Sequence, residues 1–339
     1  MSNLKFAAIG INHGHIYGQV ECLLRAGAEF TAFHAIEDDL AAEFGAKFPQ
    51  AKRVADASAI LEDPTIAIVV TAAIPGDRAA ISISAMRHGK DVLSDKPGMI
   101  SLAELDAVKA AQKETGRIYS VLYSEHFEVR STVRAGELIA AGAIGEVVNT
   151  VGLGPHALHN GKRAPWFFDR SRYGGIICDI ASHQFEQFLF FSNADEAEVI
   201  SASVANRANP QTPGLQDIGD VHLKTRTTSG YIRVDWFTPK GLPTWGDGRL
   251  TIIGTEGYIE LRKYIDIAGR PGQDHLFLVD GKGMQHIDCS QAELPFGRQF
   301  LADVRDRTET AMPQARCFKA MELALTAQAL AERGTEWAR

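Results

Sequence analysis

The first 123 residues alternate short, almost wholly apolar runs with segments of helical periodicity, and this alternation narrows the folds open to the chain more than any other feature. Residues 6–9 run into Gly10, a helical segment follows to about Arg25, and residues 30–33 read as a second strand. Asp38 or Asp39 can cap a helix in which Leu40, Phe44 and Phe48 recur at fourfold spacing, with Pro49 as its stop. Ile66–Thr71 is apolar almost throughout, as a parallel strand covered on both faces requires. A helix closing on Gly89, a strand over 91–94, and a Ser101/Glu104 capping box follow. Leu102, Leu105 and Val108 form the expected apolar stripe, Gly116 the stop, and residues 118–123 the last strand. Such repetition predicts a doubly wound, Rossmann-type parallel sheet over residues 1–123.

Beyond residue 124 the pattern changes. A helix through Leu138 and Ile139 ends at Gly142–Gly145, and further on strands dominate, with residues 249–254 and 258–262 flanking Thr255-Glu256-Gly257 as a hairpin. Residues 124–339 are expected to form an α+β domain with a large, mostly antiparallel open sheet. Its uncovered face invites a homodimer or homotetramer. At 339 residues the chain has length for two cores. A net charge of −7 argues against a nucleic-acid partner. Cys22, Cys178, Cys289 and Cys317 are too scattered for a zinc ribbon or a disulfide framework. No signal peptide and no apolar run of membrane length is visible, so a soluble, cytoplasmic protein is expected.

Two clusters carry chemistry. After the first strand comes Gly10-Ile11-Asn12-His13-Gly14-His15, where a dinucleotide fold seats its pyrophosphate. Only the first glycine of G-x-G-x-x-G is kept. Asn12 is expected to tolerate left-handed backbone in place of the second, and Gly14 and Gly18 to offer the close approach that His15 denies. An ordinary glycine turn in a sheet without a nucleotide is the competing reading. The second strand ends in Ala35 where an acid would bind the adenosine ribose; Glu37 is the nearest carboxylate, and no Arg or Lys stands beside it for a 2′-phosphate. This favours NAD over NADP by a small margin. Further on, Gly174-Gly175 precedes Asp179 and His183, which stand four apart at the opening of a helix and so share a face. A carboxylate one turn away can hold a histidine's tautomer and favour its charged form. With the lysine of Asp95-Lys96-Pro97, these supply a base, an orienting acid and a cationic polariser, the needs of alcohol oxidation. Pro97 is a candidate cis proline.

Asp95-Lys96-Pro97, the Gly174-Gly175…Asp179…His183 segment and Gly254-Thr255-Glu256-Gly257, in this order, resemble the glucose–fructose oxidoreductase / inositol dehydrogenase / rhizopine-catabolism (Gfo/Idh/MocA) family over nearly the whole chain. The family's usual Glu-Lys-Pro has a shorter acid here. The resemblance implies a nicotinamide cofactor, NAD or NADP, in the N-terminal domain, and a sugar, polyol or sugar-acid substrate on the C-terminal sheet. It implies Lys96, Asp179 and His183 as catalytic residues. The cofactor-binding set is Gly10, Asn12, His13, Gly14, His15, Glu37, Thr71, Ala72, Asp95, Lys96 and Pro97.

Arg163, Trp166 and Arg170 are substrate candidates, since aromatic faces suit sugar C–H faces and guanidinium groups suit carboxylates; a subunit-contact loop explains the same residues. His126, near the domain junction, is a further substrate candidate. Trp236 reads as core or sheet surface. His156 and His159 with Asp179 and His183 make a poor zinc set, so no metal is expected. Two other functions stay open. One is glycoside cleavage through transient oxidation at a bound NAD; the other is a non-catalytic dinucleotide sensor.

Overall fold

Strand β1 (Lys5–Ile9) is buried from Phe6 onward, and its neighbours repeat the pattern. With β2 (Glu29–His34), β3 (Lys52–Arg53), β4 (Ile66–Thr71), β5 (Asp91–Asp95) and β6 (Tyr119–Leu122) it forms a six-stranded sheet ordered β3-β2-β1-β4-β5-β6. Every pairing in it is parallel. The order reverses direction at β1, which opens a crevice at the carboxyl ends of β1 and β4. This computed structural model describes residues 3–158 and 163–333.

Helices between the strands supply the covering layers. The helix Leu102–Thr115 starts on a complete Ser101/Glu104 capping box and stops at Gly116 in the left-handed conformation. Its buried stripe is Leu105, Val108 and Ala111; Leu102 is 44% exposed, because in the first turn it points away from the sheet. The helix Asp38–Lys47 begins one residue earlier than its aspartates suggested, with Glu37 at the N-cap and both aspartates in the first turn. There they face the positive end of the helix dipole. Phe30, Phe33, Phe44 and Phe48 pack edge-to-face beneath it.

The chain divides into two compact units. The first is Met1–Leu122 with Arg172–Gly174 and Pro295–Phe318; the second is Tyr123–Ser171, Gly175–Leu294 and Lys319–Arg339.

The second unit is built on eight strands: β7 (Val147–Pro155), β8 (Glu198–Ala205), β9 (Ile218–Lys224), β10 (Ser229–Asp235), β11 (Arg249–Gly254), β12 (Gly257–Arg262), β13 (His275–Asp280) and β14 (Gly283–Asp288). Their order is β14-β13-β12-β11-β7-β10-β9-β8, antiparallel except where β10 runs parallel to β7. One face is closed. Leu250, Ile252, Ile259, Leu261, Leu276 and Leu278 point to it and pack with Ala135 of the helix Arg130–Ala140. The other face keeps Val148, Ile253 and Tyr258 exposed.

Three adjacent strands of the closed face lack side chains where a helical segment crosses them. A Cβ on Gly152 or Gly154 of β7 would stand 2.9–3.1 Å from Gln184. One on Gly230 of β10 would meet Phe188 at 2.7 Å, and one on Gly219 of β9 would meet Ile176 and Ile177 at 3.0 Å. These glycines form a floor on which residues 176–188 lie directly against the backbone of the sheet. All four cysteines are buried. Among the described residues, no helix is long and apolar enough to cross a membrane.

Candidate active site

The turn after β1 is held by backbone hydrogen bonds on both sides: Gly10 N–H donates to His34 O (3.1 Å), Ala72 N–H to Gly10 O (3.0 Å), and His13 N–H to Ala72 O (2.8 Å). Gly10 has φ +76°, and a Cβ there would be driven into Ala73. This is a cradle that only glycine fits. Asn12 is not left-handed, contrary to expectation. Its value lies in its side chain, whose Nδ2 donates to Glu37 Oε1 at 2.7 Å. Nor do Gly14 and Gly18 provide a close approach, since a Cβ on either meets nothing within 4 Å. The helix His15–Arg25 carries no acid in its first turn, so its amino end is open to an anion. Gly10→Ala is expected to raise the dinucleotide Kd at least tenfold and lower Tm, measured by titration and thermal unfolding, because strained backbone and overpacking act together.

His15 points across to β5, with Nδ1 2.8 Å from Asp95 Oδ1, and His13 Nδ1 lies 3.3 Å from Oδ2. Asp95 and Lys96 are both buried. The partner of Asp95 is Arg78, a residue the sequence reading missed. Arg78 is fully buried, and its Nη2 stands 2.9 Å from Asp95 Oδ2 as an ion pair without hydrogen-bond alignment. Its Nε donates to Ala73 O (2.8 Å) and its Nη1 to the carbonyls of Lys96 and Pro97. One guanidinium therefore clamps the end of β4 to the Lys96–Pro97 turn, whose peptide bond is cis. Lys96 N–H in turn donates to Asp95 Oδ1 at 2.8 Å.

Burial would raise the Asp95 pKa, but Arg78, then His15 and His13, outweigh it and hold the carboxyl well below the usual range. Burial, and next the charge on His15, push His13 well below the ordinary histidine value. His13, His15 and Asp95 place ligand atoms within 4.8 Å of one another, a spacing a divalent cation accepts. Arg78 already supplies the counter-charge of Asp95, however, and would repel such an ion.

In the second unit Asp179 lies in a π-helical turn, Ile177–Ala181, that runs into the helix Ser182–Phe191 carrying His183. The expectation was a plain helix opening. A wide π turn leaves backbone groups and side chains displaced from regular spacing, and it recurs at functional sites. Both side chains are buried above the glycine floor. Beneath them is a polar network that the sequence reading also missed. Lys263 Nζ donates to Glu125 Oε2 (2.7 Å) and Gln187 Oε1 (2.8 Å), Gln184 Nε2 donates to Glu125 Oε2 (3.0 Å), and Gln187 Nε2 to His183 O (3.1 Å). Burial opposes ionisation of Glu125, yet Lys263 above all, with His183 and His156, brings its pKa down to about 2.

The substrate candidates separate. Arg163 stacks over Phe167 (4.4 Å) and Trp236 (5.1 Å), and donates from Nε to Leu158 O (3.1 Å). Burial lowers its pKa while the charge of Asp179 opposes that shift. Arg170 is held in a two-pronged pair with Glu332, and Trp166 stands edge-on to Phe167. His126 is buried against Phe127 and Phe190 with Nδ1 2.8 Å from Glu186 Oε2, which is a core position. Trp236 is buried against His156 and Phe167, as its strand position suggested. His159 lies outside the described residues.

A parallel sheet that reverses at a glycine cradle, a lysine turn fixed beside it, and a buried Asp–His segment on a second sheet define a dinucleotide-dependent oxidoreductase. Residues 4–123 match the oxidoreductase family with an NAD-binding Rossmann fold, GFO_IDH_MocA, and residues 132–260 match the GFO/IDH/MocA C-terminal domain. The chain belongs to the Gfo/Idh/MocA family. A solved structure from Erwinia carotovora atroseptica SCRI1043, named as an oxidoreductase of unproven activity, is 43% identical with a TM-score of 0.94, covering 97% of this chain and 99% of that one. The 1,5-anhydro-D-fructose reductase of Ensifer adhaerens is 25% identical over 71% of this chain and 67% of its own length. The NAD⁺-dependent scyllo-inositol 2-dehydrogenase of Bacillus subtilis (strain 168) is 27% identical over 66% of this chain and 61% of its own length. The match therefore spans about three fifths of the inositol enzyme.

Proposed function

We propose that the chain is a dehydrogenase that moves a hydride between nicotinamide and a CH–OH or carbonyl carbon of a sugar, polyol or sugar acid. The observation that carries the reading is the buried Asp179–His183 segment raised on a π turn over a glycine floor. Regular helix spacing and an ordinary side-chain floor would serve stability better. The two relatives named above, a sugar reductase and an inositol dehydrogenase, support the substrate class.

The Gly10 cradle, the open helix end at His15 and the side chains around Asp95 fit a dinucleotide, with Thr71 and Ala72 closing the turn from β4. When bound, its nicotinamide supplies the hydride acceptor. Lys96 hydrogen-bonds the carbinol oxygen and stabilises the negative charge that develops there. His183 takes the hydroxyl proton at a ring nitrogen, and Asp179 binds a neighbouring hydroxyl or orients the histidine. Arg163 is the substrate contact of choice, because it is half-buried and the charge of Asp179 acts on it. The first unit holds the nucleotide and the second the substrate, with the division near residue 123. The open face bearing Val148, Ile253 and Tyr258 is the subunit contact of a cytoplasmic homodimer or homotetramer.

The test is spectrophotometric. NAD⁺ or NADP⁺ is reduced in the presence of a panel of cyclitols, aldoses and aldonates, and products are followed separately. Net dinucleotide reduction with one of them is expected. Product without net reduction would replace the reading by transient oxidation. Dinucleotide binding without any turnover across the panel would favour a sensor.

A further inference from the structure

We propose that Arg53 reads the 2′ position of the adenosine ribose and that the chain takes NADP(H) in preference to NAD(H). This rests on the dinucleotide-dependent reading above. In a dinucleotide fold an acid at the end of the second strand accepts the ribose hydroxyls and repels a 2′-phosphate, whereas an arginine nearby accommodates it. Here β2 is followed by Ala35 and Ile36, neither of which is an acid. The next carboxylate, Glu37, is engaged by Asn12 Nδ2. The strand beyond supplies the cation instead. Arg53 of β3 pairs in register with Phe33 of β2, and its Nη2 donates to Ala35 O at 3.1 Å, which fixes the guanidinium at the ribose end of the sheet.

A cavity of about 520 Å³ opens at this point, lined by His34, Ala35, Ile36, Arg53, Val54 and Ala55. Among the described residues Arg53 is the one permanently charged member of that lining, and its planar fork matches a phosphate dianion. Asp38 holds Arg53 at 2.7 Å, but Asp38 is 91% exposed. A surface pair of this kind contributes little and yields to a doubly charged phosphate. Ile36, 82% exposed beside the cavity, offers an apolar ledge for the adenine.

The experiment is a titration of NADPH and NADH into protein first shown free of bound dinucleotide, with Arg53→Ala and Arg53→Glu alongside. Adenosine 2′,5′-bisphosphate and AMP serve as fragment competitors. We expect the native protein to bind NADPH at least tenfold tighter than NADH, and the bisphosphate to outcompete AMP. Arg53→Ala should weaken NADPH about 10- to 100-fold, the range for a charge-assisted bond, and change NADH less than threefold. Arg53→Glu should reverse the preference. Tighter or equal binding of NADH by the native protein overturns the proposal and leaves the dehydrogenase intact, as does an equal loss for both dinucleotides in Arg53→Ala. Binding of neither overturns the dinucleotide-dependent reading, and this proposal with it.

Discussion

Lys96→Met lowers kcat by about 10²- to 10⁴-fold, the range for removing an electrostatic stabiliser or a general acid–base partner. Methionine nearly matches the lysine in volume, so the change removes charge and hydrogen bonding while leaving little void. The surroundings make the effect readable. Lys96 is buried, its N–H is held by Asp95, and its carbonyl is held by Arg78, so the turn persists without the ammonium group. The dinucleotide Kd should move by only a few-fold, which separates chemistry from binding. His183→Ala should cost a comparable factor, and the double variant little more than either, because groups acting on one proton transfer do not contribute additively. Turnover within threefold of the native rate in Lys96→Met would remove the lysine from the mechanism.

Lys263→Met is expected to cost about 3–5 kcal/mol of unfolding free energy, the range for breaking one side of a buried ion pair. Glu125 would be left inside the second unit with Gln184 alone as donor. Glu125→Gln combined with Lys263→Met should regain part of the loss, since no charge then lacks a partner. Denaturant unfolding of the three proteins measures both statements, and equal stability of the single variant and the native chain would contradict them. The sign with pH follows from the depressed pKa of Glu125, about 2 against an ordinary 4.5. Its contribution is complete above pH 4.5 and is lost as pH falls towards 2. That loss amounts to about 3 kcal/mol. Glu125→Gln should flatten this limb of the stability profile.

The parallel sheet was legible because strands covered on both faces must be apolar along their whole length, as Ile66–Thr71 is, and because Ser101, Glu104 and Gly116 mark a helix's ends by local hydrogen bonding. The second sheet was only partly legible. β7, β8 and β9 carry Gly, Ser, Thr and Asn at positions where a half-buried strand usually shows bulk, so their alternation is faint. Asp179, His183 and Lys96 could be singled out from spacing and chemistry. Their supports could not: Arg78 reaches Asp95 from the preceding helix, Pro75–Arg87, and Lys263 reaches Glu125 across 138 residues. No periodicity encodes such pairs. Arg53 sits in a two-residue strand beside the cavity, too short to announce where its side chain would stand.

The glycine floor acts as a height gauge for the histidine. Gly152, Gly154, Gly219 and Gly230 are not needed for an unusual turn; they set how deep the segment from Ile176 to Phe188 can sink. A single methyl at any of them is a shim, lifting one end of that segment and tilting His183 with it, although none of the four is offered as a contact to substrate or nucleotide. A substitution at such a position would re-aim His183, the base proposed above, without altering its identity. The proposed base would thus be retuned from the far side of its own helix, by the smallest side chain in the alphabet giving way to the next.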